Sequence, residues 1–436
     1  MADLLLTCGY VALFLYLIIR WPFFRVEGLG PKAIGVLFLL KVAAGTGLWW
    51  IYTFHYADRA NADIYKFFDD GNVMFGALRA HPVDYLQMLT GIGTRNPYFS
   101  EHYYEVMNNW YRRWETGYYN DAHTMIRYNA VLRLFSFGVY HVHTVFSAFL
   151  SLTGLVALYK VFTGLVPGMG RVAAIGLFLW PSMLFWSSAP IKEALLFLGL
   201  GLFLLALFRF GQHRNGAKVW IMLLAGLFIQ LSLKSYVLAC MLPGLAALWW
   251  CRRTGNRRAV LKFGTAHLAA ALLILAAPLL SPRLDVVAMI HQKLRDMLGV
   301  VAATDPGSFI PTTLFEPNAW GLAQASPHAL FLTFLSPLAT WNIGALGIMG
   351  AVENLALLAL IPLAAVWARP WREVDLPLLL HALCFCLALG LLIGWTTPVV
   401  GAVMRYRIPL LPFYTLAFAL VADPRRIART LRTSLP

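Results

Sequence analysis

The chain has 436 residues, 60% of them hydrophobic and only 13% charged, with a mean hydropathy of +0.67. That balance excludes a water-soluble globule, which would expose too much apolar surface to stay dispersed, and points to an all-α protein that crosses a membrane many times. A net charge of +15 in such a chain has to be sorted by membrane side before it says anything about partners.

Windows near the roughly 20 apolar residues that cross a bilayer recur along the whole length. They predict about 11 helices in a single membrane domain, 1–436, with spans at 4–19, 33–54, 139–161, 172–188, 194–210, 219–233, 236–250, 263–280, 343–366, 376–395 and 404–421. If the link after the first span is cytoplasmic, the cytoplasmic connections hold nineteen Lys and Arg, from Arg20, Arg25 and Lys32 to Arg425, Arg426, Arg429 and Arg432, against four acids, Glu27, Glu373, Asp375 and Asp423. The remaining sixteen bases and sixteen acids cancel. The whole excess then lies on one face, as positive-inside sorting requires. Nucleic acid drops out as a partner, the amino terminus is expected outside and the carboxyl terminus inside.

Cys8, Cys240, Cys251, Cys384 and Cys386 lie in or at the ends of these spans without metal-ligand or redox spacing, so neither a disulfide nor a zinc site is expected. The Leu5-Leu6-Thr7-Cys8 run lacks the basic and apolar stretches of a lipoprotein leader, and the first helix is expected to be retained.

Two connections are long. The first, 56–138, follows the second span, is extracytoplasmic by the charge count, and is dense in aromatics, as in YYEVMNNWYRRWETGYY. Disordered segments are poor in such rings, which favour the membrane interface. Short amphipathic helices lying on the membrane, without a folded globule, are expected. Pro82 and Pro97 mark helix starts, and Ile126, Ala130, Leu134 and Phe137 share a face with Arg127 off it. The second, 281–342, lies on the same side, and its stretch 328–341 is too short and too Pro-interrupted for a span. A re-entrant or surface segment is expected there.

Phosphate-binding Gly loops, HExxH and GxSxG are absent. Charge on the outer face carries the chemistry instead. In ADIYKFFDDG, a helix would put Asp63, Lys66 and Asp70 on one face, with Arg59 one turn earlier and Asp69 on the adjacent stripe. A partly desolvated carboxylate there suits a general base toward a hydroxyl; the alternative is a solvated helix start paired with Arg59 and Lys66. In SSAPIKEALLF, Lys192 and Glu193 open a helix, where a lysine adds to the dipole in holding an anion or else snorkels. Lys234 occupies a tight outer turn. In MRYRIPLLPF, Arg405 and Arg407 flank Tyr406 on the outer side, against the positive-inside trend, and suit a lipid-linked phosphate or else headgroup contact. Glu353 lies roughly a third of the way into a span, a functional acid or a salt-bridge partner. Lys41, inside the second span, stands apart from this group. Together these describe a site for an amphipathic substrate with an anionic head, and the natural chemistry is transfer from a lipid phosphate.

At this point the residues resemble a family. Asp63-Ile64-Tyr65 with Asp69-Asp70 at the start of the first large outer loop, and Arg405-Tyr406-Arg407 with Pro409 and Pro412 far downstream, are similar to the C-superfamily (GT-C) of integral-membrane glycosyltransferases. FLWPSMLFWSSAPIKEALLF also looks like bacterial envelope-polysaccharide membrane proteins. The resemblance covers the general architecture and two short motifs, and here the acidic loop follows the second span where the family's follows the first. It implies a bacterial inner-membrane enzyme taking a polyprenyl-phosphate-linked sugar to a glycan, lipid or protein acceptor at the extracytoplasmic face. Asp63, Asp69 or Asp70 would be the base and Arg405 and Arg407 phosphate ligands, with Lys192 and Lys234 beside them and Tyr65, Lys66, Arg127, Glu193, Glu353 and Tyr406 in support. The acids suit Mg²⁺ or Mn²⁺ as well as an ion-pair network. A polyprenyl-pyrophosphate polymerase or ligase would use the same arginines. A flippase would more often carry inverted repeats and midplane charges, and no repeat is present.

Overall fold

The structure is a computed structural model. It describes residues 1–56, 59, 62–111, 120–340 and 344–433, with the backbone alone at 339, 340, 344–346 and 431–433. The helices in chain order are α1 (Ala2–Arg20), α2 (Pro31–Trp50), α3 (Asp63–Ala80), α4 (Pro82–Thr90), α5 (Pro97–Phe99), α6 (Ala122–Ser136), α7 (Tyr140–Leu165), α8 (Gly170–Phe178), α9 (Pro181–Trp186) and α10 (Lys192–Gly211). They continue with α11 (Ala217–Leu233), α12 (Ser235–Thr254), α13 (Ala259–Ala276), α14 (Val286–Thr304), α15 (Ala319–Leu330), α16 (Gly344–Val366), α17 (Leu376–Thr396), α18 (Val400–Tyr406), α19 (Leu411–Val421) and α20 (Pro424–Thr433). No strand occurs among the described residues.

The protein is an all-α, multi-pass membrane protein. Among the described residues seven helices are long and apolar enough to cross a bilayer: Ala2–Arg20, Pro31–His55, Tyr140–Leu165, Lys192–Gly211, Ala259–Leu279, Gly347–Val366 and Leu376–Thr396. The other four predicted spans take different forms. The stretch 172–188 is broken between α8 and α9, where Pro181 starts a new helix. The one at 219–233 is the 17-residue α11, that at 236–250 is α12 with Pro243 inside it, and 404–421 is split into α18, a 3-10 turn (Ile408–Leu410) and α19. Proline explains the two breaks, in 172–188 and 404–421, because it removes a backbone donor and crowds the preceding turn. Hydropathy averages straight across it.

The chain forms two compact units, Met1–Gly164 with Leu184–Ser235, and Leu165–Met183 with Tyr236–Pro436. In the first, α7 is buried over most of its length, whereas α1 is largely exposed apolar surface, as expected of a lipid-facing helix. The α7 and α10 backbones touch at Gly154 and Gly201: a Cβ on Gly201 would lie 2.1 Å from the Gly154 carbonyl oxygen. Lipid offers no hydrophobic drive between helices, so contact this close is what joins them.

The loop after α2 is more than a surface layer. Ile64, Phe67, Phe68, Met74, Tyr85, Met88, Phe99, Tyr103 and Trp110 form a buried core continuous with Leu48, Tyr140, Ile191 and Leu233 at the helix ends, which corrects the expectation of helices without a folded core. Pro82 and Pro97 do start helices. In α6 the buried stripe includes Ile126 and Ala130, but Leu134 and Phe137 are exposed, and Asn129 and Arg133 are inside. Polar residues go inward because partners await them: Asn129 Oδ1 accepts from His143 Nδ1 (2.7 Å) and Arg133 stacks over Phe68 at 4.3 Å. Residues 112–119 of the aromatic run lie outside the described residues.

In the second unit α17 is the most buried long helix, and α13 is almost entirely exposed. Asp285, Asn318 and Asp375 cap α14, α15 and α17 by accepting N–H bonds from Ala288, Gly321 and Leu378. The predicted re-entrant piece continues α15 through a π-turn (Phe331–Leu335) and a 3-10 turn (Ser336–Thr340), with Leu332, Thr333 and Ser336 buried; Trp341 lies outside the described residues. The ends of α16 and α19 are laced together by the Arg369 N–H to Val421 O bond (2.8 Å) and the Asp423 N–H to Trp367 O bond (2.7 Å).

Candidate functional site

The stretch ADIYKFFDDG folds as the start of α3. Ala62 is extended, and the helix opens on Asp63, whose negative charge complements the amino-terminal dipole. Its three aspartates then part company. Asp69 is gripped by Arg59 through two bonds, Nε to Oδ2 at 2.9 Å and Nη2 to Oδ1 at 2.7 Å, and the guanidinium lies 3.9 Å from the Tyr65 ring centroid. This is the pairing with Arg59 that the sequence offers as the alternative to a catalytic role, made here by Asp69. Asp70 is buried, its Oδ1 and Oδ2 accepting the backbone N–H groups of Asn108 (2.7 Å) and Asn109 (2.8 Å). It pins a distant part of the loop to α3. Asp63 has the most exposed carboxylate of the three, 39% against 33% for Asp69, and lies 3.8 Å from Lys66 Nζ.

Burial raises the Asp70 carboxyl from its ordinary 3.8 to about 6, against the opposing pull of the Asn108 and Asn109 N–H groups, and neighbouring Asp69 adds to the rise. A carboxyl raised in the folded state binds more protons there than in the unfolded chain between those two values. The stability it contributes is therefore full below 3.8 and is lost as the pH rises through about 6. Thermal midpoints of the wild type should fall across that window and those of Asp70→Asn should fall less. A wild-type profile no steeper than the variant's would contradict the assignment.

A second pair of elements closes on the same side of α3. Ile191 is extended after Pro190, so Lys192 and Glu193 occupy the first turn of α10. Lys192 Nζ meets Asp121 Oδ2 at 2.8 Å, just before α6, and lies 5.4 Å from the Phe67 ring of α3. Glu193 and Lys234, both buried, pair at 2.9 Å, and Thr124 Oγ1 donates to Ser232 O at 3.0 Å. Asp121, Lys192, Glu193 and Lys234 thus gather at the start of α10, and the Asp63–Lys66 pair lies on α3, which Lys192 reaches at Phe67. The inner pair is sealed, and the outer four side chains are between 15% and 39% exposed. Arg127, by contrast, is used in the loop itself, its Nε donating to Met88 O at 2.9 Å and its guanidinium near Trp110.

The arginines of MRYRIP belong to the second unit. Arg405 lies in the last turn of α18 and is buried with Arg407, while Tyr406 is half-buried between them. Arg407 Nη2 meets Glu353 Oε1 at 3.2 Å, and its Nη1 donates to Asn354 Oδ1 (2.8 Å) and Thr333 O (3.2 Å). Glu353 also accepts from the Ser182 backbone N–H (2.6 Å) and Oγ (2.7 Å). The Arg407 charge is thereby offset inside the unit, beside a small cavity of about 20 Å³ lined by Phe334, Leu357, Leu411 and Tyr414. Glu353 adopts the salt-bridged form of its two sequence readings.

No family model, curated protein or solved structure matches the chain. Function has to be argued from these geometries alone. The donors do not fit Mg²⁺ or Mn²⁺: among the described residues no three His, Cys, Asp or Glu side chains converge, and each acid in the cluster faces a lysine, an arginine or backbone N–H groups. A Ser136–His143–Asn129 chain, with bonds of 2.8 and 2.7 Å, has the order of a nucleophilic triad. All three residues are buried without exposed surface, so it fastens α6 to α7. Asp121, Ser182, Asn354 and the Asn108-Asn109 amides were missed in the sequence. Only Asp121, beside Asn120 at a helix start, and Ser182, directly after Pro181, carried a local signal.

Proposed function

We propose that the protein is a bacterial inner-membrane glycosyltransferase that moves a sugar from a polyprenyl-phosphate donor to a glycan, lipid or protein acceptor at the extracytoplasmic face. In this reading the chain makes eleven crossings, counting the short and broken ones, with its amino terminus outside. The observation that carries the reading is a partly exposed carboxylate, Asp63, paired with Lys66 at the start of α3, with Lys192 beside the ring of Phe67 one turn further along that helix. Asp63 accepts the proton of the acceptor hydroxyl as its oxygen bonds to the anomeric carbon. The bond from that carbon to the phosphate oxygen breaks, and the lipid phosphate leaves with the charge that Lys192 and Lys66 offset. Asp69 and Asp70 hold the loop in place, and Lys234 with Glu193 sets the start of α10. Arg407 is held by Glu353 and Asn354 in the interior of its unit, whereas Lys66 and Lys192 are partly exposed, so the phosphate contact is given to the lysines.

Binding of a polyprenyl phosphate to purified protein tests this. Lys192→Gln should weaken it roughly 10- to 100-fold, the worth of one hydrogen bond to a charged group, while Lys218→Gln, at an exposed position in the first turn of α11, leaves it unchanged. Equal binding by the wild type and the Lys192 variant would count against the site.

A further inference from the structure

The carboxyl-terminal helix α20 has no part in the chemistry above, yet its composition and seating are specific. Arg425, Arg426 and Arg429 are exposed, and α20 contains no acid. At about 100° per residue these three arginines fall within one stripe, with Ile427 away from it. Asp423 is occupied in receiving the Arg425 backbone N–H at 2.8 Å. The seating is decided by Trp367, the residue after the apolar helix α16. Its carbonyl receives the Asp423 N–H (2.7 Å) at the start of α20, and its indole Nε1 donates to Thr430 Oγ1 (3.1 Å) near the other end. A helix that meets one residue at both ends lies along the end of the span and does not project from it. Trp371, 64% exposed, stands close by in sequence, and tryptophans of this kind mark the level of the lipid headgroups.

We infer that α20 is a docking surface for anionic phospholipid headgroups, lying in the interfacial layer with its arginine stripe on the lipid phosphates. The occupant follows from charge complementarity and from height: the stripe starts at the exit of a membrane helix, where headgroup phosphates are the abundant anions. Guanidinium forks suit phosphate oxygens.

The test uses full-length protein in nanodiscs of phosphatidylcholine mixed with phosphatidylglycerol, with the lipids retained on release counted by native mass spectrometry. The wild type should be enriched in phosphatidylglycerol. Each arginine replaced in the series R425Q, R426Q, R429Q should lower that enrichment roughly five-fold, while the corresponding lysine variants keep most of it. Raising the ionic strength should lower it in the wild type as well. Equal enrichment in the wild type and the triple glutamine variant overturns the inference. If the triple variant does not fold, the salt series on the wild type decides, and salt-insensitive retention overturns it. Capture of an acidic polypeptide without phosphatidylglycerol enrichment also overturns it, giving the face to a protein partner.

Discussion

Asp63→Asn is expected to abolish sugar transfer in proteoliposomes while leaving the protein folded. Removing a general base costs about 10²- to 10⁴-fold in rate, and the substitution keeps the shape of a side chain that is 39% exposed, so the thermal midpoint should scarcely move. The neighbouring aspartates supply the contrast. Asp69→Asn loosens the Arg59 grip and Asp70→Asn weakens the hold on Asn108 and Asn109, so each should lower stability together with activity. A selective loss at Asp63, against mixed losses at Asp69 and Asp70, is the pattern required. Full turnover by Asp63→Asn would remove it as the base and leave Asp121, across the lysines, as the carboxylate to examine.

The largest stability effect is expected at the Glu353–Arg407 pair. Both side chains are almost fully buried, and Glu353→Leu strands a guanidinium in the interior, a change that costs about 3–5 kcal/mol for pairs of this kind. Arg407→Met should cost a similar amount by leaving the carboxylate without its cation, though Ser182 still donates to it. Replacing both, Glu353→Leu with Arg407→Met, should recover much of the loss, because a packed apolar pair often matches a buried ionic one. Thermal unfolding of the four proteins in one detergent gives the cycle. Additive losses would mean that the two residues do not act together. The recovered double variant should bind polyprenyl phosphate as the wild type does; weakened binding there would return Arg407 to the phosphate.

What could be read from the sequence follows the range over which a pattern is local. Seven of the eleven span positions and the helix starts at Pro82 and Pro97 depend on neighbours a few residues away, and they were legible. So was the concentration of acids at Asp63, Asp69 and Asp70. The division of labour among those acids was not, because the groups that settle it come from elsewhere in the chain: Arg59 from the preceding turn, the Asn108 and Asn109 amides from the far end of the loop, and Asp121 from its exit. Periodicity put Leu134 and Phe137 on one face with Ile126 and Ala130 on hydrophobicity alone. It could not register that His143 and Phe68 would receive Asn129 and Arg133. The proline-broken segments 172–188 and 404–421 defeated a window average for a similar reason, since one residue changes the backbone without changing the mean hydropathy.

The way the chain is shared between the two units bears on the order in which it can be made. The polypeptide leaves the first unit at Gly164, contributes 165–183 to the second, returns at Leu184 and completes the first at Ser235. When the ribosome has reached that point, every segment of the first unit exists, but Ser182 still awaits Glu353, Trp180 awaits Thr415, and Gly176 awaits the same threonine. The α8–α9 segment must therefore be held by lipid, by the insertion machinery or by transient contacts until nearly the last helix is synthesised. Early truncation would strand this piece with an unsatisfied backbone amide, and it is there that nascent chains should first be recognised as incomplete.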